Sequence, residues 1–225
     1  MGQAIGQVFS FGVGVALSPV PIIAVVLMLA TPKGRVNGPA FLSGWVVGLA
    51  VVGVIVLLIS SGASASSDGA PATWVSILKI VLGLLLVLLA VRQWRGRPRG
   101  DAAPELPAWM KTIDTFTPAK SAGMAVLLSA INPKNLLLTV GAAAAIAQTG
   151  ASTGGRAVAL AVFVLLGTVG VGAPVAIYYV MGEKATKILG ELHDWMAREN
   201  ATIMAVLCLI IGAKLIGDAI TALAT

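Results

Sequence analysis

The sequence predicts an all-α integral membrane protein of six transmembrane helices, arranged as two inverted three-helix repeats with broken first and fourth helices. Three observations lead there. The chain is 58% hydrophobic and 11% charged, with a mean hydropathy of +0.97. Soluble domains instead run at roughly 45–50% apolar and about 25% charged. Two apolar runs carry prolines at matching places near their middles, Ser18-Pro19-Val20-Pro21 and Asn132-Pro133-Lys134-Asn135. Basic residues collect in alternate loops.

The predicted spans are residues 4–30, 40–60, 74–92, 121–147, 157–181 and 201–222. Each holds the roughly 20 helical residues needed to cross a hydrocarbon core of about 30 Å. In the first, Pro19 and Pro21 remove backbone donors and interrupt the helix; Pro133 does the same in the fourth. The second reads Phe41, Gly44, Gly48 and Gly53, and the fifth Gly167, Gly170, Gly172 and Pro174. Such small residues let membrane helices approach closely. No basic residue precedes Lys33, so the first span reads as retained rather than as a cleaved signal peptide. Cys208 sits alone in the last span, which excludes an internal disulfide and reads as packing.

All basic residues except Lys79, Lys134, Arg156 and Lys214 fall between the first and second, third and fourth, or fifth and sixth spans. The positive-inside rule therefore places those loops in the cytoplasm and both termini outside. Trp45, Trp74, Trp94, Trp109 and Trp195 are expected near the interfaces. With three spans per half, the first half begins outside and the second inside, as in an inverted repeat. Leu17-Ser18-Pro19 then falls on Ile131-Asn132-Pro133, and Phe41 and Gly48 on Phe163 and Gly170. The expected division is 1–92 for the first repeat, 93–120 for a cytoplasmic loop with an amphipathic segment, and 121–225 for the second repeat.

Two cytoplasmic stretches are amphipathic: Leu106, Trp109, Met110, Ile113 and Phe116, and Ala185, Ile188, Leu189, Leu192, Trp195 and Met196. Each could lie in the headgroup plane, fasten its loop, gate the cytoplasmic mouth or dock a partner. The cluster Arg92, Arg95, Arg97 and Arg99 reads as a topology signal and an anionic-lipid contact.

Freed backbone groups in hydrocarbon survive only where protein or a water-filled cavity satisfies them, so the breaks mark a binding site. Ser18, Pro19, Pro21, Asn132, Pro133, Lys134 and Asn135 are its expected residues. Lys134 falls near the bilayer midplane, where a cation costs about 2.5–3.5 kcal/mol on insertion scales and needs a cavity or partner. With two asparagines and half-helix N-termini beside Pro21 and Pro133, the cluster suits a phosphate, sulfate or carboxylate. The alternative is a snorkelling lysine bonded to carbonyls of the neighbouring break. Lys79, Lys214 and Asp218 form a second group toward the outer side, either a structural ion pair or a proton-coupling site; Lys214 and Asp218 are four apart on one helix face.

A Walker pattern, a His/Cys/Asp/Glu cluster and a His or Asp companion for Ser18 are all missing, so no enzyme, cofactor or metal is expected. The net charge of +6 lies in the loops and does not point to nucleic acid.

On these residues the chain resembles the GAP family of actinobacterial membrane proteins, the glycopeptidolipid- and sulfolipid-addressing proteins of the lysine-exporter superfamily. The likeness spans most of the chain. It is strongest over Phe11 to Val51, with Ser18-Pro19-Val20-Pro21 and Thr31-Pro32-Lys33-Gly34-Arg35, and over Ala130-Ile131-Asn132-Pro133-Lys134-Asn135. The resemblance implies six spans, a bacterial plasma-membrane location and a role in moving envelope glycolipids outward. Its implied partners are a lipid or glycolipid substrate and envelope-lipid export or synthesis proteins; the glycine-lined second and fifth spans could pack within the monomer or across a homodimer. Alternatives are an exporter of a small polar or amino-acid-like solute and a non-transporting scaffold of a lipid-export complex. Amino-acid and metal exporters share the superfamily, but this chain lacks midplane acids suited to a cationic solute.

Overall fold

Proline sets the two breaks in the computed structural model, which describes residues 2–62, 66, 67, 70, 71, 73–97 and 107–224. Helix α1 (Gly2–Ala16) ends two residues before α2 (Pro19–Leu29), and the pair bends by 52°. Helix α5 (Pro118–Ala130) likewise meets α6 (Pro133–Gln148) at 62°. Both second halves start with proline at their first position, where the missing N–H is lost to no intrahelical bond. The other helices are α3 (Gly34–Gly62), α4 (Thr73–Arg95), α7 (Thr153–Met181) and α8 (Glu183–Ala224). Four helices are long and apolar enough to cross a membrane alone, and six spans result when each bent pair counts as one. A two-residue antiparallel pairing, Ser66–Ser67 with Ala70–Pro71, lies between α3 and α4.

The helix contacts largely exchange the two halves. Helix α4 packs along α8; α3 packs on α5 as α7 packs on α1; α3 meets α6 as α7 meets α2. Helix α1 also lies along α6, with no comparable contact between α2 and α5. Glycines allow the tightest of these approaches. A Cβ on Gly44 would strike the Ala122 carbonyl oxygen of α5, one on Gly48 the Ser129 hydroxyl, and one on Gly170 the Ala16 carbonyl at the end of α1. The paired positions Gly48 and Gly170 thus each receive the C-terminal end of the other half's broken helix. Phe41 and Phe163 are both fully buried.

Trp45 departs from expectation. Among the described residues it is the largest fully buried side chain, and its Nε1 donates to the Gly167 carbonyl at 3.1 Å. The Gly167 carbonyl on the facing helix satisfies the indole N–H, so Trp45 packs in the core instead of anchoring an interface. Large apolar side chains such as Leu58, Leu165 and Val180 stay exposed, as lipid-facing positions of a membrane bundle require.

The second amphipathic stretch is not a separate helix in the headgroup plane. It forms the first turns of α8, one helix of 42 residues. At 1.5 Å per residue α8 is about 63 Å long, twice a hydrocarbon core. No proline divides the stretch from the last span. Ala185, Leu189 and Met196 are buried in the main core while Ile188 and Trp195 stay exposed. The first stretch becomes a 3₁₀ helix, Ala108–Thr115, that touches α2 and buries Met110 and Ile113. Asn37 Nδ2 donates to the Phe116 carbonyl at 3.0 Å and pins the chain just after it. Both segments fasten their loops to the bundle. Leu106 and Arg99 lie outside the described residues.

Candidate functional site at the paired breaks

The second break rearranges the backbone bonds around it. Both Ile131 N–H and Asn132 N–H donate to the Leu127 carbonyl, at 2.9 and 3.1 Å. That leaves the Leu128 carbonyl without its usual donor four residues on, and residue 133 is proline and cannot serve Ser129. The Asn135 side chain repairs the first loss: its Nδ2 donates to the Leu128 carbonyl at 3.0 Å. Asn132 caps α6, its Oδ1 accepting from the Lys134 N–H at 3.1 Å.

Ser18 holds the corresponding place at the first break, as N-cap of α2, yet it makes no side-chain cap bond. Its hydroxyl crosses to the other half. It donates to Asn135 Oδ1 at 2.8 Å and accepts from Lys134 Nζ at 2.8 Å. A chain of bonds therefore runs from Lys134 through Ser18 and Asn135 to the Leu128 carbonyl, joining the two breaks. Lys134 is 2% exposed, Ser18 3% and Asn135 0%, so this junction is shut off from both sides. Among the described residues no carboxylate pairs with Lys134.

The other candidate residues divide. Pro19 and Pro21 are buried beside Ser18, whereas Pro133 is exposed and Asn132 half-buried. Prolines at the first and third positions of α2 leave Val20 as the N–H between them, and the Lys134 N–H of α6 is already taken by Asn132. The cationic side chain, rather than a row of backbone donors, is the main attraction for an anion here.

Three neighbours escaped the sequence reading. Thr139 is fully buried and its Oγ1 donates to the Asn135 carbonyl at 2.8 Å. Its place four residues after Asn135, on the same helix face, was the available signal. Ser129 is fully buried under Gly48. Cys208 of α8 is buried within electrostatic reach of Lys134, and no spacing in the sequence links those positions.

The second charged group assembles at the far end of the α4–α8 pair. Lys214 Nζ donates to Asp218 Oδ2 at 2.6 Å, with both side chains more than a third exposed. Lys79 of α4 is buried and senses both charges.

No curated protein and no solved structure matches the chain. The sequence model of the family described as Sap, sulfolipid-1-addressing protein, matches residues 8–221. With a match over nearly the whole sequence, joined to a helical membrane bundle with two bent spans, this chain belongs to the Sap, sulfolipid-1-addressing protein family.

Proposed function

We propose that this protein moves an anionic, polar-headed lipid of the cell envelope across or out of the plasma membrane, with the paired breaks as its substrate site. The observation that carries the reading is the bond from Lys134 to Ser18, which ties one break to the other at the buried centre of the bundle. An ammonium carries three donors, and here one neutral hydroxyl accepts from it. A sulfate, phosphate or carboxylate oxygen would bring the opposite charge that the Ser18 hydroxyl lacks, adding ion pairing to the hydrogen bond. A lysine inside a membrane bundle is costly and marks a transport pathway more often than a structural role. The family's name, which concerns the addressing of sulfolipid-1, supports the lipid class.

Movement would follow from the bends. If α1–α2 or α5–α6 changes its angle, Ser18 leaves Lys134 and the ammonium turns toward an incoming headgroup. Asn135 keeps the Leu128 carbonyl satisfied throughout, and Pro19 and Pro21 hold the shape of the first break.

The test is purified protein in liposomes with a fluorescent anionic lipid, wild type beside Lys134→Met, scored for transbilayer movement. Movement in the wild type, lost in the folded variant and absent for a zwitterionic lipid of equal chain length, is the expected result. No movement in the wild type, or equal movement in the variant, would overturn it.

A further inference from the structure

Helices α4 and α8 run antiparallel and touch at Gly83 and Gly212, where an added Cβ on either would lie 2.8 Å from the other's carbonyl oxygen. Two turns on, toward the C-terminal end of α4, the facing residues are Ala90 and Ala205, both small and buried. Beyond the glycine contact the helices leave a groove of about 390 Å³ with these alanines as its floor. Val91, Val206 and Leu209 form its walls and are 42–52% exposed. Trp94 and Arg95 stand at its mouth.

The mouth is basic. Arg92 and Arg95 are exposed on the last turns of α4. The Arg97 guanidinium lies 3.6 Å from the Trp94 ring centroid, and its Nη1 is buried with no hydrogen-bond partner. Among the described residues no ion pair neutralises these arginines, Glu199 of the facing helix included. The loop charges put this end of the bundle at the cytoplasmic surface, and a half-exposed tryptophan marks headgroup depth.

We infer that this groove is a lipid site of the cytoplasmic leaflet, taking one acyl chain between α4 and α8 and the anionic headgroup on Arg92, Arg95 and Arg97. The apolar length fits a chain and nothing polar. Three cations next to that length require an anion, and the bilayer supplies both on one molecule. Binding here needs no transport, so the site stands whether or not the paired breaks carry substrate; it lies on the outer face of the α4–α8 pair.

The experiment uses the whole protein in phosphatidylcholine vesicles with rising fractions of phosphatidylglycerol brominated in mid-chain, read as tryptophan quenching. A Trp94→Phe variant isolates the contribution of Trp94. Quenching of Trp94 by the brominated anionic lipid should reach half its maximum at a mole fraction lower by about fivefold per contributing arginine than with brominated phosphatidylcholine. Arg92→Gln combined with Arg95→Gln should remove most of that preference, with an unchanged melting profile showing that the bundle is intact. Val206→Phe, which plugs the groove wall while leaving the arginines, should reduce quenching by both lipids. Equal quenching by the two lipids, or a preference that survives the arginine changes, would overturn the site. So would full quenching in Val206→Phe. Trp94 shielded from both lipids would mean that a second copy covers this face, and would overturn it as well.

Discussion

Lys134 and Ser18 are 116 residues apart in the chain and 2.8 Å apart in space, and their bond closes the junction between the two broken helices. The serine accepts from the ammonium while donating to Asn135. Ser18 lies in the first break as N-cap of α2 and Lys134 is the second residue of α6 after the other break, so the same feature that frees backbone groups also supplies the side chains that meet there.

Replacing Lys134 separates its role in transport from its role in the fold. Methionine nearly conserves volume and removes the cation, so Lys134→Met should change stability by less than about 1.5 kcal/mol and abolish lipid movement. Lys134→Ala leaves a hole and should cost about 2–5 kcal/mol. Thermal melting in one detergent, beside the liposome assay, checks both.

Gly170 and Gly172 provide a matched pair on α7. A Cβ at 170 meets the Ala16 carbonyl, whereas at 172 its nearest neighbour is the Leu42 Cδ1 at an ordinary 3.7 Å. Gly170→Ala should therefore destabilise by about 1–3 kcal/mol through overpacking. Gly172→Ala should be neutral, or stabilising by up to about 1 kcal/mol from helix propensity. Equilibrium unfolding of the two variants decides the matter.

At the other charged group the two partners are not equivalent. Asp218 is the near anion for Lys214 and also for buried Lys79. Lys214→Gln removes half of an exposed pair and should cost under about 1 kcal/mol. Asp218→Asn leaves Lys214 unpaired and removes the negative charge that favours the buried Lys79 cation, so it should cost more than Lys214→Gln. If the group has only a structural role, neither change alters transport in the variants that fold.

Orientation is checked by labelling. Cys208 is the one cysteine of the sequence and is buried, so a Cys208→Ala background is silent. A cysteine at Gly154, before which the chain leaves α6, should react with an impermeant maleimide added to intact cells. Cysteines at Lys120 or Lys187 should react only after the membrane is opened. The reverse pattern would invert the assignment drawn from the loop charges.

Much of this architecture is written in local chemistry. Apolar runs of sufficient length declare the spans, since the bilayer tolerates no others. Proline declares the breaks, the first proline of each falling three residues past the last residue of α1 or α5. The candidate cluster was legible for the same reason: a lysine and two asparagines beside a proline in hydrocarbon stand out against any apolar background. Other features depended on what lies opposite. Trp45 looks like an interfacial tryptophan until Gly167 is found facing it. The stretch from Ala185 to Met196 has the pattern of a surface helix, yet its apolar face belongs to the core.

The sequence by itself determined that the chain crosses a membrane, where its helices run, where two of them break and which polar side chains accompany the breaks. These follow from hydropathy, proline stereochemistry and charge, which act over a few residues. Only the tertiary structure decided that Ser18 abandons its own helix for Lys134 and Asn135, that Asn135 repairs the Leu128 carbonyl, and that Cys208 comes within electrostatic reach of the lysine. It also decided that α4 and α8 part below Gly83 and Gly212 to leave a groove beside three arginines. Apart from the Asn135–Leu128 bond, those relations join residues far apart in the chain, and they are set by how helices pack, which no local pattern encodes.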